Sequence, residues 1–188
     1  MTDITNKYLI FTINNEDYGI PISKVREVIR YVNITPIHEA SKFLKGVINL
    51  RGKIIPIMDM RAKFGINFKE YNDRTIFIIV DVSGAKDNIN IGIAVDSVHD
   101  VIDMNETDIE KAPDIGLKLK SQYLYGIAKI NEKMLMILNM DKILTSEEVV
   151  EVKENPQLQY MQRQMNKDNT ESINKEIEKE EIKEEVLS

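Results

Sequence analysis

The sequence predicts a mainly β protein built from two copies of one small barrel unit, followed by a C-terminal helix and an acidic tail. Three observations lead there: short strand-like runs recur throughout, polar turn chemistry separates them at short intervals, and the chain repeats itself once. Many short strands at close spacing favour barrels or sandwiches over an α/β sheet.

In chain order the strand-like runs are 8–13 (YLIFTI), 18–22 (YGIPI), 53–60 (KIIPIMDM), 75–82 (TIFIIVDV), 89–96 (INIGIAVD) and 133–140 (KMLMILNM). Turns are expected at Asn14-Asn15-Glu16-Asp17, at Arg51-Gly52, from Ser83 to Asn88, and at Asn131-Glu132, residue types that accept the special dihedrals of tight turns. Aligning Gly19 with Gly92 places Ile20, Ile22, Val25, Glu27, Val28 and Ile29 on Ile93, Val95, Val98, Asp100, Val101 and Ile102 without a gap. At an offset of 80, Leu44, Gly46, Val47, Leu50, Lys53, Ile57 and Met60 meet Leu124, Gly126, Ile127, Ile130, Lys133, Ile137 and Met140. Pro36 and Pro113 occupy comparable places between these stretches. Any two Ile- and Val-rich strands look alike, but two matching stretches in the same order point to duplication.

The expected division is a first barrel at about 15–72 and a second at about 73–145, with strand 8–13 exchanged into the second. Units this small bury a marginal core alone, so three cores are expected, one inside each barrel and one between them. Gly65, Asn72 and Asp73 link the copies, and Met140 to Leu144 is read as a short helical turn. Ser146 with Glu147 and Glu148 reads as the start of a helix over 146–155. Residues 156–188 read as a charged, flexible tail.

Composition removes several function classes. With no Cys there are no disulfides, thiolate nucleophiles or cysteine-ligated zinc, and His38 and His99 are the only imidazoles. His38-Glu39-Ala40 lacks the second His of a metalloprotease motif, and Asp103 to Asp114 lacks the Gly and Glu of a calcium loop. No phosphate-binding Gly-rich loop occurs, and no cofactor is expected. Asp81 and Asp96 could in principle form an acid/base pair, although strand-end Asp is usually solvated or capping. Net charge is -6, of which 166–188 contributes -4, from 4 Lys against 8 acids. The remaining basic residues are scattered among carboxylates and form no stripe for nucleic acid. There is no apolar run long enough to span a bilayer and no apolar leader, so the expected location is the cytoplasm without direct membrane insertion.

Duplication supplies an internal control, because what both copies share serves the fold and what they do not share is free to serve a partner. The first copy reads Asn49-Leu50-Arg51-Gly52-Lys53 where the second reads Lys129-Ile130-Asn131-Glu132-Lys133, and Glu27 is matched by the shorter Asp100. A Glu27–Arg51 ion pair is therefore expected; the alternative is two unrelated surface charges. Val25, Val28, Ile29 and Val47 form an apolar strip that a small barrel cannot bury entirely, which with charges around it has the composition of a binding surface.

Five blocks in order, YGIPISKVREVI, FLKGVINLRGKIIPIMDMR, NDRTIFIIV, IGIAVDSVHDVI and YLYGIAKINEKMLMILNMDKIL, resemble the CheW family of chemotaxis coupling proteins from about Tyr8 to Val150. The resemblance implies one CheW-like domain over 1–155, with two five-stranded SH3-like β-barrels and no catalytic activity. It also implies a non-catalytic adaptor between the cytoplasmic tips of methyl-accepting chemoreceptors and the regulatory domain of the histidine kinase CheA, recruited to membrane-associated receptor arrays. Carried over by position, Val25, Glu27, Gly46 and Arg51 would face the kinase, while Ile76, Phe77, Gly92 and Val98 would line a receptor-binding groove between the barrels. Gly46 and Gly92 have an alternative reading as pure backbone positions. The competing functions are a double-barrel scaffold of another chemosensory-like kinase pathway and, third, an enzyme, which would need a pocket of convergent polar groups.

Overall fold

The computed structural model describes residues 5–38, 40–83, 88–111 and 121–187. Glu39, most of the Ser83–Asn88 turn, Pro113 and Asp114 lie outside the described residues. The elements run β1 (Thr5–Ile13), β2 (Glu16–Pro21), β3 (Val25–Arg30), β4 (Leu44–Leu50), β5 (Lys53–Asp59), α1 (Met60–Phe64), β6 (Ile76–Val82), β7 (Ile89–Val95), β8 (Ser97–Asn105), β9 (Ile109–Glu110), β10 (Leu124–Ile130), β11 (Lys133–Leu138), α2 (Ser146–Glu154) and α3 (Pro156–Leu187). They form a six-stranded sheet in the order β8-β1-β2-β11-β10-β9 and a five-stranded sheet in the order β3-β6-β7-β5-β4.

The duplication is visible in the hydrogen-bond register. Leu44 opposes Met58 and Gly46 opposes Ile57 with a register shift between them, and Leu124–Leu138 and Gly126–Ile137 repeat that pattern 80 residues later. Likewise Gly19 pairs with Ile10 and Ile137, as Gly92 pairs with Ile79 and Ile57.

The division of the chain differs from the sequence expectation. Not only β1 but the whole β1–β2 hairpin joins strands of the second copy, and β6 and β7 join strands of the first. The first barrel therefore spans residues 25–95, and the second combines β1 and β2 with β8 to β11. The exchange is reciprocal, and short connections enforce it: three residues, Ile22–Lys24, carry the chain from β2 to β3, and Asp96 alone joins β7 to β8.

Both barrels close in the same way. In the second, β9 pairs with β10 through Ile127 and Glu110. In the first, Thr35 and Val47 exchange backbone hydrogen bonds of 2.8 and 2.9 Å. Glycine is required at both seams, because a Cβ on Gly46 (φ 146°) would collide with the Thr35 carbonyl and one on Gly126 would lie 2.6 Å from the Glu110 carbonyl.

Strand alternation then sorts the apolar residues into three clusters. Ile48, Ile55, Ile57, Phe77, Ile79 and Ala94 fill the first barrel. Tyr8, Ile10, Met104, Ala128, Leu135 and Ile137 fill the second. The largest cluster joins the two sheets: Leu9, Phe11, Ile13 and Ile20 from one meet Ile78, Val80, Ile91 and Ile93 from the other.

Helix α2 starts at Ser146, as the sequence suggested, but Thr145 and not Ser146 is its cap. Thr145 Oγ1 accepts from the Glu148 amide at 3.2 Å, and Glu148 Oε2 accepts from the Thr145 amide at 2.8 Å, a capping box. A 3-10 turn occupies Met140–Lys142. Residues 156–187, read from sequence as a flexible tail, are the helix α3, whose first half lies on the first barrel.

Because Phe11 is fully buried in the core shared by both sheets, Phe11→Ala should cost about 3–5 kcal/mol. Urea denaturation followed by circular dichroism should show one cooperative transition at a lower midpoint; two separated transitions would mean that the barrels are independent.

Candidate functional site

The anticipated Glu27–Arg51 pair is formed, and it is bidentate. Arg51 Nη2 donates to Glu27 Oε2 at 2.8 Å and Nη1 to Oε1 at 3.3 Å. A bulge in β3 between Val25 and Glu27 re-aims the strand there, sending Arg26 to Asp81 and Glu27 toward the β4–β5 turn. The pair is open to water, with the Arg51 side chain 78% exposed, so it contributes at most about 1 kcal/mol to stability.

Arg51 occupies an unfavourable backbone position. The three described two-residue hairpin turns are Asn14-Asn15, Arg51-Gly52 and Asn131-Glu132, and all six residues have positive φ. At the first position the other two turns carry Asn, with φ of 52° and 47°, whereas Arg51 sits at 51°. Asn tolerates the left-handed region, and Arg there costs roughly 1 kcal/mol. Gly52 follows at φ 77°, its amide donating to Asn49 Oδ1 at 2.9 Å.

The apolar strip is only partly a surface. Val25 and Ile29 are half-buried and Val28 is exposed, but Val47 is buried beneath the seam with Thr35. Gly46 belongs to that seam and is also buried. Of the residues expected in a groove between the barrels, Ile76 and Val98 are half-buried at the margin of the shared core. Phe77 lies inside the first barrel with no exposed surface, and Gly92 is buried with space for a Cβ only 2.5 Å from Ile57 Cδ1. Phe77 and Gly92 therefore shape the barrel wall and present no side chain to a partner.

A second charged group was not anticipated. Arg61 and Asp59 are almost completely buried, and Arg61 pairs with Asp96, the single residue joining β7 to β8. Asp96 also accepts from the Asn14 amide at 2.7 Å, so this contact ties the first barrel's α1 to the second barrel's β1–β2 hairpin. Tyr71 donates to Asp59 Oδ2 at 2.8 Å, and burial together with that carboxylate pushes its phenol pKa far upward. Lys63 bonds Glu148 at 2.6 Å while lying over the rings of Phe43 and Tyr123. The signal in the sequence was three charges, Asp59, Arg61 and Lys63, inside an otherwise apolar run.

These partners also account for Asp81 and Asp96, each held by an arginine and not paired with the other. His99 Nε2 contacts the hydroxyl of Thr12 at 2.7 Å, and the His38 amide donates to Gln157. Among the described residues no group of three or more His, Asp or Glu side chains could hold a metal ion.

The arrangement defines a double-barrel module whose distinctive surface is a tight hairpin carrying a guanidinium oriented by a carboxylate, a feature suited to protein recognition. The CheW-like domain family model matches residues 7–148, and the chain belongs to that family. It is 38% identical over 146 residues to the chemotaxis protein CheW of Klebsiella aerogenes, covering 78% of this chain and 86% of that protein. The chemotaxis protein CheW of Rhizobium meliloti is 29% identical over 148 residues, covering 79% and 93%. The crystal structure of the scaffolding protein TtCheW from Thermoanaerobacter tengcongensis aligns with a TM-score of 0.69 and 35% identity, covering 77% of this chain and 91% of that one.

The two arginines should behave oppositely on substitution. Arg51→Ala should change stability by less than about 1 kcal/mol, whereas Arg61→Ala, which removes the cation beside the fully buried Asp59 and the tie to Asp96, should cost about 3–5 kcal/mol. Urea midpoints of the two variants check this.

Proposed function

We propose that this chain is a non-catalytic chemotaxis adaptor that couples methyl-accepting chemoreceptors to a CheA-type histidine kinase. Family membership and the names of the relatives support the chemotaxis role. The kinase's regulatory domain docks on the first barrel at Val25, Glu27 and Arg51, with Gly46 shaping the seam behind them. The receptor tip docks at the junction of the barrels, where Ile76 and Val98 reach the surface, with Phe77 and Gly92 acting only from behind them, inside the first barrel. The proposed place of work is the cytoplasmic side of a receptor array; among the described residues no helix is long and apolar enough to cross a membrane.

The observation that carries this reading is Arg51. An arginine at a left-handed position, where the two matching turns carry Asn, is unfavourable to the fold. Its guanidinium is nevertheless fixed by Glu27 and left exposed. A long side chain held open at a cost to the fold is accounted for by a partner that binds it.

Two measurements test this. Calorimetric titration with the regulatory domain of a CheA-type kinase should show binding weakened at least about tenfold by Glu27→Arg or Arg51→Glu, the loss expected for a central interface charge. Arg51→Asn should bind as weakly yet be more stable by about 0.5–1 kcal/mol, because Asn suits the turn. Unchanged affinity in all three variants would place the kinase elsewhere or remove it as a partner.

A further inference from the structure

Helix α3 lies outside the stretch that matches the CheW-like family, and its seating on the first barrel is specific. Asn155 opens it by accepting from the amides of Gln157 and Leu158 at 3.0 and 3.1 Å. Gln157 Oε1 then accepts from the His38 amide at 3.2 Å, and Gln162 Oε1 from the Ile54 amide at 3.1 Å. Ile54 needs that acceptor because β5 meets β7 only at Ile57–Asp59, leaving the start of β5 without a strand on that side. Farther along, Asn49 Nδ2 lies 3.3 Å from Met165 Sδ, and Asn169 Nδ2 donates to the Gly52 carbonyl at 3.3 Å.

These contacts set the helix direction. It runs from the 36–38 segment along β5 to the β4–β5 turn, and it meets that turn at the residue next to Arg51. Leu158 is buried, and Met161 and Met165 follow at helical spacing on the barrel side. Past Asn169, Ile173 and Ile177 stand four residues apart and so form an apolar pair on one face of the helix. Beyond Asn169, however, no described contact with the barrel remains, and the helix extends 18 further residues, about 27 Å at 1.5 Å per residue. Ile173 and Ile177 are 56% and 49% exposed on this overhang. From 171 to 180 the overhang holds Glu171, Glu176, Glu178 and Glu180 against Lys175 and Lys179.

From this we infer that the overhang of α3 is part of the docking surface for the kinase regulatory domain, Ile173 and Ile177 closing over the partner seated at Arg51. The inference rests on the function proposed above. Continuity identifies the occupant: the only described barrel feature beside the start of the overhang is the turn that carries Arg51. Charge adds to it, since the excess of Glu along the overhang favours a partner face with basic residues around an apolar strip. A helix of this length is marginal in water on its own, and a partner on the exposed Ile173–Ile177 pair adds apolar burial to it.

The test uses the full chain and the Ile173→Ala/Ile177→Ala variant, in which the new residues favour helix more than the originals, so helix loss is not introduced. Titration with the kinase regulatory domain should show affinity weaker by about tenfold, from lost apolar burial, with an unchanged thermal midpoint. Amide exchange over 170–180 should slow on adding the kinase domain to the wild type. Unchanged affinity in the double variant, with Arg51→Glu still weakening binding, would overturn the role of α3 and leave the adaptor function intact. Absence of wild-type binding would overturn both. Wild-type self-association that the double variant abolishes, with kinase affinity unaffected, would instead assign the overhang to a second copy of the chain.

Discussion

The shared core between the sheets is the constraint on which the rest of the structure depends. Each barrel is short of interior apolar volume, and the outer faces of β1, β2, β6 and β7 bury against each other to make up the deficit. Reciprocal exchange of the two hairpins makes that burial compulsory, since neither barrel can be completed without strands from the other copy. Arg61 and Asp96 reinforce the junction at its narrowest point, where one residue carries the chain across. The result is an interlocked pair in which the Arg51 hairpin of one barrel and the junction between the barrels are held in fixed relative positions by a common core.

Duplication also explains how the protein acquires distinct surfaces from one repeated fold. The glycine seams, the bulged β4–β5 and β10–β11 pairs and the three-core layout are common to both copies. The copies part at the turn that reads Arg51-Gly52 in one and Asn131-Glu132 in the other, and at Glu27 against Asp100. Strain tolerated at Arg51 and relieved at Asn131 supports the proposal that the first copy is the one adapted for binding.

Much of this was legible in the sequence. The offset-80 repeat reproduces the strand registers residue for residue, and the asymmetry between copies located the Glu27–Arg51 pair. The extent of strand exchange was not legible, because Ile57 and Ile137 stand at equivalent registers and offer β2 and β7 equally good neighbours. Only the short crossovers decide between them. Val47 was misread as exposed because the strand that covers it is a single bridge from Thr35 in an irregular segment. The docking of α3 was hidden for a different reason: its apolar row on the barrel side is short, Leu158, Met161 and Met165, and the amide side chains that bond backbone, Gln162 and Asn169, look in sequence like any polar tail residue.

As proposed, the protein joins two partners through separate surfaces. Co-sedimentation of a kinase regulatory domain with an immobilised receptor signalling-tip fragment, with and without the protein, tests it most directly. The kinase domain should be retained only when the protein is present, and Arg51→Asn should remove the kinase domain while remaining bound to the receptor fragment itself. Equal retention without the protein, or loss of both contacts in Arg51→Asn, would contradict the claim.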